Sequence, residues 1–102
     1  MDITKLKINP RQTCMTKADL KKIPALYSQD GKGMDAIAFA HFFYGSYDFW
    51  ATELDPEEGT FFGLVRLHET ELGYTSAEEL ASVGRIERDL YWTPKPLREC
   101  VK

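Results

Sequence analysis

From residue 35 onward the chain alternates short apolar runs with compact polar breaks, and the spacing inside each run favours strands. Ile37, Phe39, His41 and Phe43 share one side of a two-residue period, so Asp35–Tyr44 predicts a strand that Gly45-Ser46 ends. Tyr47–Leu54 is rich in strand formers, and Asp55-Pro56-Glu57-Glu58-Gly59 reads as a turn in which proline fixes its own φ and glycine accepts a positive one. Thr60–Leu67 resumes the strand pattern, giving a β-hairpin over 47–67 with a five-residue connection. Glu69–Thr75 predicts a fourth strand. Arg85–Trp92 predicts a last one, with Ile86, Arg88, Leu90 and Trp92 alternating against Glu87, Asp89 and Tyr91.

Two helix starts are written in capping boxes. Thr16 with Asp19 opens a helix from Lys17 to about Ile23, which Pro24 ends, and Ser76 with Glu79 opens another that runs to about Ser82 before Gly84. Thr93-Pro94-Lys95-Pro96 leads into either a terminal helical turn or an extended tail. Residues 1–15 show no period and read as a loosely held leader or an edge segment. The elements together predict an α+β protein, a single antiparallel sheet of four or five strands with two or three short helices. The domain is expected over residues 15–102, with 1–14 as an N-terminal leader. Nine of the thirteen aromatic residues fall in the first three strands, so the sheet is expected to hold the core.

Composition narrows the class. A chain of 102 residues with 43% hydrophobic and 28% charged content is sized for one folded core. No run approaches the ~18 apolar residues of a membrane span, and Met1-Asp2-Ile3-Thr4-Lys5 lacks the apolar run of a secretory signal, so a cytoplasmic protein is expected. Cys14 and Cys100, far apart in sequence, are expected as free thiols rather than a disulfide framework. Charge is polarised: residues 1–34 carry a net +4 and residues 35–102 a net −7. Between Asp48 and Glu79 nine carboxylates face only Arg66.

The chemistry of common active sites is not assembled in this pattern. His41 lies inside an apolar strand and His68 at a strand end, and neither cysteine sits in a nucleophile context. The Cys and His spacings do not make a zinc site, and His68, Glu69 and Glu71 cannot all point one way from a strand. No phosphate-cradling glycine loop occurs. The expectation is therefore a binding protein rather than an enzyme, with no cofactor and no metal. One candidate surface for a basic protein partner is Asp55, Glu57, Glu58, Glu69, Glu71, Glu78 and Glu79. A second, for single-stranded nucleic acid, combines Arg11, Lys17, Lys21 and Lys22 with Tyr47 and Trp50 as stacking faces, to which Tyr44, Tyr91 and Trp92 can add.

Three stretches carry a family resemblance: Trp50-Ala51-Thr52-Glu53-Leu54-Asp55-Pro56-Glu57-Glu58, Phe61-Phe62-Gly63-Leu64-Val65 leading to Glu71-Leu72-Gly73-Tyr74, and Ile86-Glu87-Arg88-Asp89-Leu90-Tyr91. Over about Met15–Leu97 the chain resembles a domain-of-unknown-function family of small bacterial proteins borne on plasmids and prophages, some labelled single-stranded-DNA-binding. Some proteins similar to it are grouped with the type II-A anti-CRISPR inhibitors of Cas9. The resemblance implies a bacterial host cytoplasm and a partner such as Cas9 or its guide-RNA complex, with nucleic acid as the alternative partner. It supplies no catalytic motif.

Overall fold

The structure is a computed structural model, and residues 2–101 are described. In chain order the elements are β1 (Lys7–Asn9), β2 (Gln12–Thr13), α1 (Lys17–Lys22), a 3-10 turn (Gly33–Asp35), β3 (Ile37–Ala38), β4 (Ala40–Tyr44), β5 (Tyr47–Asp55), β6 (Thr60–Arg66), β7 (Thr70–Ser76), α2 (Ala77–Val83), β8 (Glu87–Arg88), β9 (Lys95–Pro96) and α3 (Leu97–Cys100). The main sheet is antiparallel, five-stranded, in the order β7-β6-β5-β4-β8, and two small two-stranded sheets pair β1 with β2 and β3 with β9. The α+β class and the five-stranded sheet are those the sequence predicts.

Local chemistry explains most boundaries. Both capping boxes form: the Thr16 hydroxyl accepts from the Asp19 amide while the Asp19 carboxylate accepts from the Thr16 amide, and Ser76 and Glu79 do the same. Gly84 closes α2 in a left-handed conformation, φ 73°. The central hairpin forms with β5 ending at Asp55 and β6 starting at Thr60, so its connection is one residue shorter than expected. A bulge at Thr52 interrupts the register between Ala51 and Glu53. Without it, Ala51 and Leu54 would face opposite ways; with it both enter the same core.

Three expectations change. Of the two readings of residues 1–15, the loosely held leader gives way to the edge segment: Ile3, Ile8, Cys14 and Met15 are buried with Phe42, Phe49, Phe61, Leu54, Leu80 and Ile86. The side-chain amide of Gln12 explains part of this, because it donates to the Arg88 carbonyl (3.0 Å) and accepts from the Arg88 amide (2.9 Å), closing the free edge of β8. The strand expected over 35–44 is divided at Phe39, and its best-buried residues are Ala38, Ala40 and Phe42, while Ile37, Phe39, His41 and Phe43, the side picked out by the alternation, are half-buried. The strand expected over 85–92 shrinks to Glu87–Arg88. After the Asp89 amide bonds the His41 carbonyl, the Asp89 carboxylate accepts from the Tyr91 amide (3.0 Å) and turns the chain out of the sheet. Cys14 and Cys100 are free thiols, as expected.

Candidate functional site

The acidic residues divide into groups that the topology fixes. Asp55 ends β5, and its carboxylate accepts from the amides of Glu57 (3.1 Å) and Glu58 (3.4 Å), which shapes the turn. The Ala77 amide donates to the Gly59 carbonyl (2.7 Å), so the turn is bonded to the start of α2, where Glu78 and Glu79 sit. Asp55, Glu57, Glu58, Glu78 and Glu79 therefore share one end of the sheet. Glu69 and Glu71 lie at the other end of β7, about 20 Å away at the rise of an extended strand. The seven candidates are thus one group of five and one of two.

At the acidic end, Asp55 and Glu79 spend their carboxylates on local backbone amides. Glu79 accepts from the Ser76 amide, 3.2 Å away. The ion pairs among the described residues engage Asp19, Asp35, Asp48 and Asp89, and not Asp55, Glu58, Glu69, Glu71, Glu78 or Glu79. Glu58, Glu78 and Glu79 are exposed. Such a group projects a negative field toward an approaching cation, stronger at low salt.

Two acids from the same run are turned inward, which charge counting could not reveal. Glu53 is 3% exposed and accepts from the amides of Tyr27 (2.8 Å) and Gln29 (2.6 Å), holding Tyr27 at a positive φ of 74°. The Gln29 side chain continues this anchor, accepting from the Ile37 amide and donating to the Ile37 and Thr52 carbonyls. Asp48 bonds His41 Nε2 (2.7 Å) with one oxygen and Arg66 (2.9 Å) with the other. His41 stacks on Trp50 at 5.2 Å and 9°, and its Nδ1 faces Asp89 at 3.7 Å. Both ring nitrogens thus point at carboxylates, and the network ties β4, β5 and β6 to the segment after β8. The cross-strand pairs His41–Trp50 and Asp48–Arg66 were the available sequence signal, since both follow from the hairpin register.

The basic group is placed unevenly. Arg11 lies in the β1–β2 turn, and Lys17, Lys21 and Lys22 are exposed on α1. The expected stacking faces are not available beside them. Trp50 is 2% exposed, with His41 on its ring and the Arg66 guanidinium 4.8 Å from its centroid, so neither face is open to a base. Tyr47 is half-buried near Thr75 and Glu79, and loss of solvent pushes its phenol pKa up. Tyr91, in contrast, is 92% exposed. Among the described residues no group of His, Cys, Asp and Glu could hold a metal ion, and no helix is long and apolar enough to cross a membrane.

These features define a small α+β domain whose main sheet carries a buried apolar cluster on each face and whose acidic residues Asp55, Glu57, Glu58, Glu78 and Glu79 share one end. Residues 9–99 match the family described as proteins of unknown function (DUF2958), and the chain belongs to that family. No curated protein and no solved structure matches it.

Proposed function

We propose that this protein works by binding, offering the acidic end formed by Asp55, Glu57, Glu58, Glu78 and Glu79 to a basic protein surface of the kind that grips nucleic acid. The observation that carries the reading is the hydrogen-bonded union of the 55–59 turn with the start of α2, exposing Glu58 and Glu78 with no described base paired to either. The resemblance to type II-A anti-CRISPR inhibitors makes a Cas9 effector the first partner to test. A guide-loaded Cas9 presents basic channels that a negative protein can fill, and such a contact would be steered electrostatically and weakened by salt.

The test is target-DNA cleavage by several type II-A Cas9 effectors with the protein in excess. Inhibition of at least one effector is expected; undiminished cleavage by all of them would reject Cas9 as the partner. The rival reading, a single-stranded nucleic-acid module, draws support from the exposed Lys17, Lys21 and Lys22 and from Tyr91. It requires a band shift on single-stranded DNA that falls steeply with salt. A shift abolished by Lys17→Gln with Lys21→Gln would favour the rival.

A further inference from the structure

We propose that the cleft between α1 and the segment following β8 binds a small organic oxyanion, a carboxylate or phosphate monoester carried on an aromatic body. The cleft has a volume of about 240 Å³, and Lys22, Arg88, Phe39, Leu90 and Trp92 are among the residues that line it. That is below the usual range for drug-sized ligands and suits a body of one ring. None of the acidic-end residues Asp55, Glu57, Glu58, Glu78 and Glu79 lines it, and the inference does not depend on the protein-binding reading.

Arg88 supplies the central observation. Its side chain is only 10% exposed, Asp19 takes its Nη1 at 2.8 Å, and its Nε is buried with no hydrogen-bond partner among the described residues. A guanidinium is a rigid planar fork, and with Nη1 occupied the edge carrying Nε is the vacant one. A buried charged donor left unpaired is costly, and an oxyanion presented side-on would recover that cost through charge-assisted bonds.

The acids lining the cleft are already committed. Asp19 accepts from the Thr16 amide (3.0 Å) and hydroxyl (2.8 Å) besides Arg88, and Asp89 accepts from the Tyr91 amide (3.0 Å) and lies 3.7 Å from His41 Nδ1. Lys22 has no ion pair among the described residues, so it adds a second cation at the mouth. Phe39, Leu90 and Trp92 supply apolar wall for the ligand's ring, and Trp92 is held in place by its Nε1 bond to the Ala38 carbonyl (2.9 Å).

The full chain should be titrated with phenyl phosphate, benzoate and inorganic phosphate at fixed ionic strength, following amide and indole NMR shifts of Leu90 and Trp92. Saturable shifts are expected with at least one ring-bearing probe, which should bind roughly tenfold tighter than inorganic phosphate because only the ring reaches the apolar wall. The better of phenyl phosphate and benzoate identifies the headgroup. Arg88→Lys keeps the charge but loses the fork, and should weaken binding roughly tenfold. Because that change also alters a buried ion pair, Lys22→Gln on the exposed helix face gives an independent reading, with a loss of about threefold expected for a partly solvated charge. No saturable shift with any probe would overturn the proposal. So would inorganic phosphate binding as tightly as the ring-bearing probes, or both variants binding like the parent.

Discussion

The two faces of the main sheet are built from different materials. On one, Phe42, Phe49 and Phe61 meet at centroid distances of 5.5 to 6.2 Å, and the N-terminal residues Ile3 and Ile8 with Leu80 of α2 complete an apolar layer. On the other, Trp50, Leu64 and Leu97 form a smaller cluster bordered by the His41–Asp48–Arg66 network, and the C-terminal segment closes over it through Trp92 and Leu97. Apolar burial is non-directional and scales with area, whereas a half-buried polar network depends on each partner being present. The first face therefore supplies most of the stability. The second fixes how the C-terminal segment docks.

The largest expected effect tests the apolar face. Phe49→Ala removes a fully buried ring from the centre of the aromatic trio and should cost about 3–5 kcal/mol in urea unfolding. A loss below 1 kcal/mol would mean that the trio is not the main support. Gly63→Ala probes the spacing between the two faces. A Cβ at this position would be driven into the Trp50 carbonyl, which is backbone and cannot rotate away, so about 3 kcal/mol of overpacking strain is expected. Urea unfolding reads this as well, and a stability equal to the parent would contradict the close β5–β6 approach.

The polar face should respond less. Asp48→Asn takes the shared charged acceptor from His41 and Arg66, at an expected cost of about 1–2 kcal/mol in the same assay. The Trp92 indole shift should move with it, since His41 lies 5.3 Å from the Trp92 ring. An unmoved Trp92 signal would separate the network from C-terminal docking.

The smallest effect is a pH dependence arising from the apolar side. Burial pushes the Cys14 thiol pKa from its ordinary 9.0 up to about 12. The folded chain then holds a proton that the unfolded chain releases, so this contribution is fully present below pH 9 and is lost as pH rises toward about 12. Between pH 9 and 10 the loss should be about 1 kcal/mol. Cys14→Ala should flatten that slope, apart from what Tyr47 contributes in the same direction. An unchanged slope would place the alkaline titration elsewhere.

How much of this was legible depended on how local its cause was. The hairpin, both capping boxes and the glycine stop of α2 each follow from a few adjacent residues, and each formed. Burial of Ile3 and Ile8 was not legible, because it rests on contacts far along the chain, among them Gln12 reaching the Arg88 backbone 76 residues away. Glu53 read as one more surface acid until the Thr52 bulge and the Tyr27 and Gln29 amides gave it a buried place. Arg88 read as an alternating strand residue; its vacant edge emerged only once Asp19 and the cleft were assembled around it. The acidic run was visible, but its division into two ends of β7 required the strand register.

The most direct measurement of the central claim is the affinity for an inhibited Cas9 effector of three proteins: the parent, Glu58→Lys with Glu78→Lys, and Lys17→Glu with Lys21→Glu. Reversal at the acidic end should weaken binding at least tenfold, roughly the effect of losing two close charge pairs at a contact, while reversal on α1 should leave it unchanged. Equal affinity for the parent and the acidic-end variant, with loss confined to the α1 variant, would contradict the account.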